Sequence, residues 1–274
     1  MDMKLTDLGA ATRFDSGDIL IKDGTNGTKK ITVANAASEF AGLISAVNHR
    51  NIYRGKNLGT AITAAQKAAI SSGTFDNLFV GDYWTLNGTV YRIADMDYWI
   101  SCGDTNFTKH HLVMVPDATM YTAAMNDTNT TEGGYVGSKM YTEGLDNAKA
   151  TIQAAFGNML QTHREMLINA VTDGHPSGSA WRDSTVELMS EIMVYGCHVY
   201  APAGNGDLTP TQFTINKQQL ALFQLNPRMV NIRSSFWFRD VASSTSFTLV
   251  DSNGSANNFN ASISLGVRPV FAIG

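Results

Sequence analysis

Charge is what this chain is short of. Asp, Glu, Lys and Arg make up 16% of its 274 residues, against about 25% in an average soluble protein. Asn, Thr, Ser and Gly take their place, which suits a surface held by neutral hydrogen bonds and assembled contacts. Net charge is -4 and there is no basic run, which argues against a nucleic-acid partner. Long apolar runs are missing too. No window approaches the roughly 20 residues of a membrane span, so no membrane insertion is expected. The start, Met1-Asp-Met-Lys-Leu-Thr-Asp7, lacks a basic region followed by an apolar stretch of signal-peptide length, so assembly in a cytoplasm is expected. Cysteine is scarce: Cys102 and Cys197 form no close-spaced ligand or redox motif. Both read as buried small hydrophobes.

What is present is enough for one or two domains with a full core. Residues 1–45 stand apart. The alternating runs 18–22 and 30–33 flank Asp23-Gly24 and Asn26-Gly27, dipeptides that supply the positive φ of tight hairpins. A short helix is expected over 34–44. One hairpin and one helix bury too little surface to stand alone, so this segment should dock onto something larger. A linker with a short helix is expected over 46–75, opened by the capping box Thr63-Ala-Ala-Gln66.

From residue 76 to 274 short strands and a few helices mix without regular alternation, which favours an α+β fold over a doubly wound sheet. Asn87-Gly88 turns a hairpin, and 110–115 reads as a strand ended by Pro116. Apolar residues from Leu145 to Met159 recur at helical spacing. Ser184-Thr-Val-Glu187 reads as a second capping box, opening a helix through Met193 that ends near Gly196, and a further helix is expected over 216–225. The closing region holds an aromatic and arginine strand, Phe236-Trp-Phe-Arg239, an Asn-rich hairpin around Asp251-Ser-Asn-Gly254, and Leu265-Gly-Val-Arg-Pro-Val-Phe271.

Several phrases together carry a resemblance: Tyr53-Arg-Gly-Lys-Asn-Leu-Gly59, Gly81-Asp-Tyr-Trp84, Tyr91-Arg-Ile93, His110-His111, Asn126 through Tyr135, and Gly266-Val-Arg-Pro269. From about residue 50 onward the chain resembles structural proteins of bacteriophages of gut Firmicutes. The closing strands also look like a domain family of phage and bacterial surface proteins placed in the C-type lectin fold, with phage tropism determinants and formylglycine-generating enzymes. Residues 1–45 resemble the attachment segment of phage fibre proteins. The resemblance implies a virion component anchored by its N-terminus and displaying a C-type-lectin-like domain. The Glu-Pro-Asn and Trp-Asn-Asp calcium motifs of sugar-binding lectins are absent, as are the paired cysteines of the formylglycine-generating enzymes. Neither a metal nor a cofactor is therefore expected.

Catalytic candidates are weak. His110 and His111 would face opposite sides of a strand and cannot easily share a metal. Asp95 and Asp97 would share a strand face as paired carboxylates, but no partner nucleophile is visible. His163-Arg-Glu165 and His175-Pro176 read as helix-end and loop positions, solvated by default.

The binding candidates are Trp237, Arg239, Ser244, Asn253, Asn257, Asn258, Phe259 and Asn260. The loop amides and hydroxyls suit a neutral sugar or protein surface, and Phe259 would stack on a pyranose or side chain. For the aromatics of the strand, packing beneath the domain is the competing reading, with Arg239 on a buried carboxylate. For the loops it is plain solvation. Candidate attachment contacts are Leu5, Leu8, Ile19, Ile21, Ile31 and Val33. The expected function is a non-enzymatic head or tail fibre, spike or decoration of the virion. Its partners would be other virion proteins, a host cell-surface glycan or protein, and itself, as a homotrimer by analogy with fibres. The alternatives are a purely structural capsid or tail protein, and a polysaccharide depolymerase.

Overall fold

A computed structural model describes residues 19–22, 29–32, 36, 46–201 and 218–274. The chain divides into two compact units, Met1–Ser45 and Ala46–Gly274. In the first, β1 (Ile19–Lys22) pairs antiparallel with β2 (Lys29–Thr32). Leu20 stands opposite Ile31 and Ile19 opposite Thr32. Leu5, Leu8, Val33 and all of the expected helix except the helical Ala36 lie outside the described residues.

The second unit takes in the segment expected to be a linker. Its helices are α1 (Ala46–His49) and α2 (Ala64–Ser71), the latter opened by the expected capping box. Ile70 and Phe75 are buried in the core of this unit. The reason is visible in the two phrases Tyr53-Arg54-Gly55 and Gly81-Asp82, which bind each other. Arg54 pairs with the buried Asp82 at 2.6 Å, and Asp82 also accepts the Lys56 and Phe79 amides. A Cβ on Gly81 would lie 2.3 Å from the Tyr53 ring, at a φ of +87°. These residues form a structural clasp.

The Asn87-Gly88 turn joins β3 (Tyr83–Leu86) to β4 (Thr89–Met96), followed by β5 (Leu112–Pro116) and β6 (Tyr121–Ala124). Helix α3 (Asp146–Phe156) realises the apolar periodicity, burying Ala148, Ile152 and Phe156. The short β7 (Leu160–Gln161) leads into β8 (His163–Thr172) and β9 (His175–Ser184), a long two-stranded hairpin where helix-end and loop positions were expected. The supposed capping box at Ser184 is instead the end of β9 and the start of β10 (Val186–Leu188). The Ser184 hydroxyl does meet Glu187, at 2.6 Å, but on extended backbone. The helix, α4 (Glu191–Tyr195), starts later, capped by Ser190 and stopped by left-handed Gly196. Helix α5 spans Ala221–Leu225.

Five strands close the fold: β11 (Phe236–Val241), β12 (Ser246–Val250), β13 (Ala256–Asn260), β14 (Ser264–Val267) and β15 (Pro269–Ile273). They complete two sheets. One has six strands, ordered β10-β15-β5-β4-β3 with β7 also on β15; the other has five, ordered β13-β12-β11-β14-β6. The fold is α+β, as expected. The chain passes from one sheet to the other at Arg268, which is fully buried. Its guanidinium donates to the carbonyls of Pro116 and Met229 and lies over the rings of Phe236 and Phe223. Burial lowers its pKa to about 10. Gly266 lets β14 approach β11 closely, since a Cβ there would meet Thr119 Cγ2 at 2.2 Å and the Ser235 carbonyl at 2.7 Å.

The central strands of both sheets are covered on both faces. Trp237, Phe247 and Leu249 join one apolar core with Tyr91, Met114 and Phe271. Phe236, Phe238 and Val250 join the other, with Val113, Val270 and helix α5.

Candidate binding surface

Strand β11 has no outward face, and this corrects two candidates. Trp237 is fully buried and donates its indole N–H to the Ala123 carbonyl. Arg239 is 6% exposed and donates to Glu165 Oε2 at 2.9 Å, the buried carboxylate of the competing reading. Glu165 also accepts the Trp99 indole N–H at 3.0 Å. Burial pushes the Glu165 carboxyl up, but the Arg239 guanidinium and nearby His163 outweigh it and hold the pKa at about 2. Trp99 stacks on His163 with ring centres 3.8 Å apart, and its backbone N–H donates to His111 Nε2. Burial lowers the His111 pKa to about 4, consistent with a neutral ring whose other nitrogen faces the Lys109 carbonyl. This buried polar knot escaped sequence reasoning.

The remaining carboxylates also have structural tasks. Asp95 is buried, bound to Arg50 and to the Met96 and Ala221 amides. Asp97 lies past the end of β4 at a φ of +54°, so the two do not form the paired site a continuous strand would give. It holds His110 Nδ1 at 2.8 Å and the His111 amide at 2.9 Å. Among the described residues no three His, Cys, Asp or Glu are grouped to hold a metal. Cys102 is buried, its thiol pushed up to about 12 mainly by that burial. Cys197 is exposed, against expectation, because the chain leaves α4 through Gly196 into a surface turn.

The other candidates lie along the free edge of the five-stranded sheet. Asp251 makes the β12–β13 turn: its Oδ1 accepts the Asn253 and Ser255 amides, and its carbonyl accepts that of Gly254. The tip is pinned, with Asn231 donating to the Asn253 carbonyl and Tyr195 to the Gly254 carbonyl. Asn257 through Asn260, expected as loop, are strand. Their pairing with Leu249 through Ser246 overrides the poor strand propensity of asparagine. Ser244 lies at the opposite end of β12, so the candidates span about 14 Å of strand rather than one tip.

Phe259 stands opposite the buried Phe247 yet is 49% exposed. Ile263, in the turn just beyond, is 41% exposed and was not anticipated. Asn257, Asn258 and Asn260 flank this apolar spot with amides. The ladder alternation turns the backbone of Ala256, Asn258 and Asn260 outward. Two of those groups are already used: Asn257 Oδ1 accepts the Asn258 amide at 2.8 Å, and the Asn260 carbonyl accepts the Ile263 amide at 3.0 Å. Such capping blunts addition of another strand and leaves the side chains as the recognition elements.

Comparison with family models, curated proteins and solved structures gives no match. No helix among the described residues is long and apolar enough to cross a membrane.

Proposed function

We propose that this chain is a phage virion accessory protein, a head or tail fibre, spike or decoration. It anchors through residues 1–45 and displays residues 46–274 as a C-type-lectin-like module adhering to a host-surface glycan or protein. The observation carrying this reading is the β13 edge, where a half-exposed aromatic ring sits among asparagines on a strand backed by a buried core. A rigid aromatic with adjacent amides binds at low conformational cost. The separate N-terminal unit supports the division of labour. A single two-stranded hairpin buries too little surface to stand alone. Several copies on one particle, as in a trimer, would multiply weak single contacts by about 10² to 10⁴.

The test is adhesion of fluorescently labelled full-length protein to cells of the host that supports the virion. Saturable binding that falls about tenfold in Phe259→Ala, with an unchanged melting temperature, is expected. Undiminished binding by that variant refutes the assignment to β13. A particle reconstruction with β13 covered by neighbouring subunits would favour the purely structural alternative.

A further inference from the structure

One fully buried ring, that of His111, ties together the two feet of the loop 99–109. Its Nε2 accepts the backbone N–H of Trp99 at 3.1 Å, and its Nδ1 donates to the Lys109 carbonyl at 3.0 Å. An imidazole that accepts at one nitrogen and donates at the other is neutral, with its proton on Nδ1. A second proton, on Nε2, would set one N–H against another and undo the tie to Trp99.

The loop has little else that is buried to hold it closed. The Ser101 amide donates to the Phe107 carbonyl, a bond within the loop itself. Asp104 reaches Arg164 at 2.7 Å, but that carboxylate is 48% exposed, and such surface pairs contribute little. Phe107 meets His111 edge-on with ring centres 5.2 Å apart, and Cys102 is packed beneath, 3% exposed. The charged and titratable groups around the ring are few. Asp97 Oδ1 lies 3.8 Å from Nδ1, and His110 holds the other oxygen of that carboxylate. His163 stacks on Trp99, whose ring His111 also faces, and Glu165 accepts the Trp99 indole N–H. Burial is the largest influence and lowers the His111 pKa from 6.5 to about 4; the Lys109 carbonyl and Asp97 oppose it, while His163 and His110 add to it. With the folded value below the ordinary one, closure is fully supported above about 6.5 and loses that support as pH falls towards 4.

We propose that His111 is an acid-released latch: neutral, it joins Trp99 to Lys109, and on taking up a proton it turns to Asp97 and lets the 99–109 loop open over Cys102. Glu165 stays ionised through this range and keeps the Trp99 indole, so the opening is local. The experiment follows Cys102 in full-length protein carrying Cys197→Ser, with 4,4′-dithiodipyridine as the thiol probe. Each rate is divided by that of the urea-unfolded protein at the same pH. The ratio is expected to rise about tenfold or more between about pH 6.5 and 4 and then to level off, with the far-UV circular dichroism unchanged. His111→Gln keeps an acceptor that does not titrate, so its ratio should stay flat. His111→Phe keeps the packing against Phe107 without either hydrogen bond, so its ratio should be high at every pH. A flat ratio in the wild-type ring, a rise as steep in His111→Gln, or a rise that appears only with loss of the far-UV signal would overturn the proposal. Should His111→Phe fail to fold, the other two proteins decide.

Discussion

Removing Arg239 should cost more than its single hydrogen bond to Glu165 suggests. The two side chains are 7% and 0% exposed, 2.9 Å apart. At an effective dielectric constant of about 20, unit charges at that distance attract by about 6 kcal/mol, much of it offset by the cost of burying both. Arg239→Met takes the guanidinium away from the buried Glu165 carboxylate, and breaking a buried pair in this way costs about 3–5 kcal/mol. Glu165→Gln leaves the cation with the weaker fields of Asp240 and Glu187. The double variant should be less damaged than the sum of the singles, with a coupling of about 1–3 kcal/mol. Urea unfolding at neutral pH measures all three. The pair also sets a pH dependence. The Glu165 pKa is about 2 in the fold against 4.5 for an ordinary glutamate, so its contribution is complete above about 4.5 and is lost as pH falls towards 2. That difference corresponds to about 3 kcal/mol. Wild type should therefore lose more stability than Glu165→Gln across that acid window. Strict additivity, a cost below about 1 kcal/mol for Arg239→Met, or parallel acid titrations would refute the reasoning.

Two further outcomes are expected. Gly266→Ala forces a methyl against Thr119 and the Ser235 carbonyl and should destabilise by about 1–3 kcal/mol in thermal melts, as overpacking does; a neutral result would mean that β14 and β11 can move apart. Ellman's reagent should modify Cys197 rapidly in the native protein and Cys102 only on unfolding, since burial both shields the latter and raises its pKa; two fast thiols would contradict the packing.

Local turn chemistry made much of the fold legible. Asn87-Gly88, the Thr63 capping box and the periodicity of α3 each act over a few residues, and each appears where the sequence placed it. The misreadings arise where long-range contacts decide. Ser184 and Glu187 have capping-box spacing, but pairing with β15 holds that stretch extended. Alternation along Phe236–Arg239 correctly divides the side chains between two faces. It cannot reveal that both faces meet a core, because period two carries no record of what covers a strand. The Glu165 partner of Arg239 is 74 residues away, and nothing local marks it. Of the candidate surface, the asparagines and Phe259 were legible as polar and exposed. That they form an edge strand depends on β12.

The position of β15 bears on how the protein is made. It lies between β5 and β10, while β14 lies between β11 and β6. Strand β5 ends at residue 116 and β15 begins at 269, so its edge waits for roughly 150 residues of synthesis. At about 5–20 residues per second the half-built sheet stays open for about 8–30 s, with the apolar side of Met114 lacking Phe271. Through that interval the nascent chain is vulnerable to sticking to its neighbours, and ribosome-associated chaperones would find their natural client there.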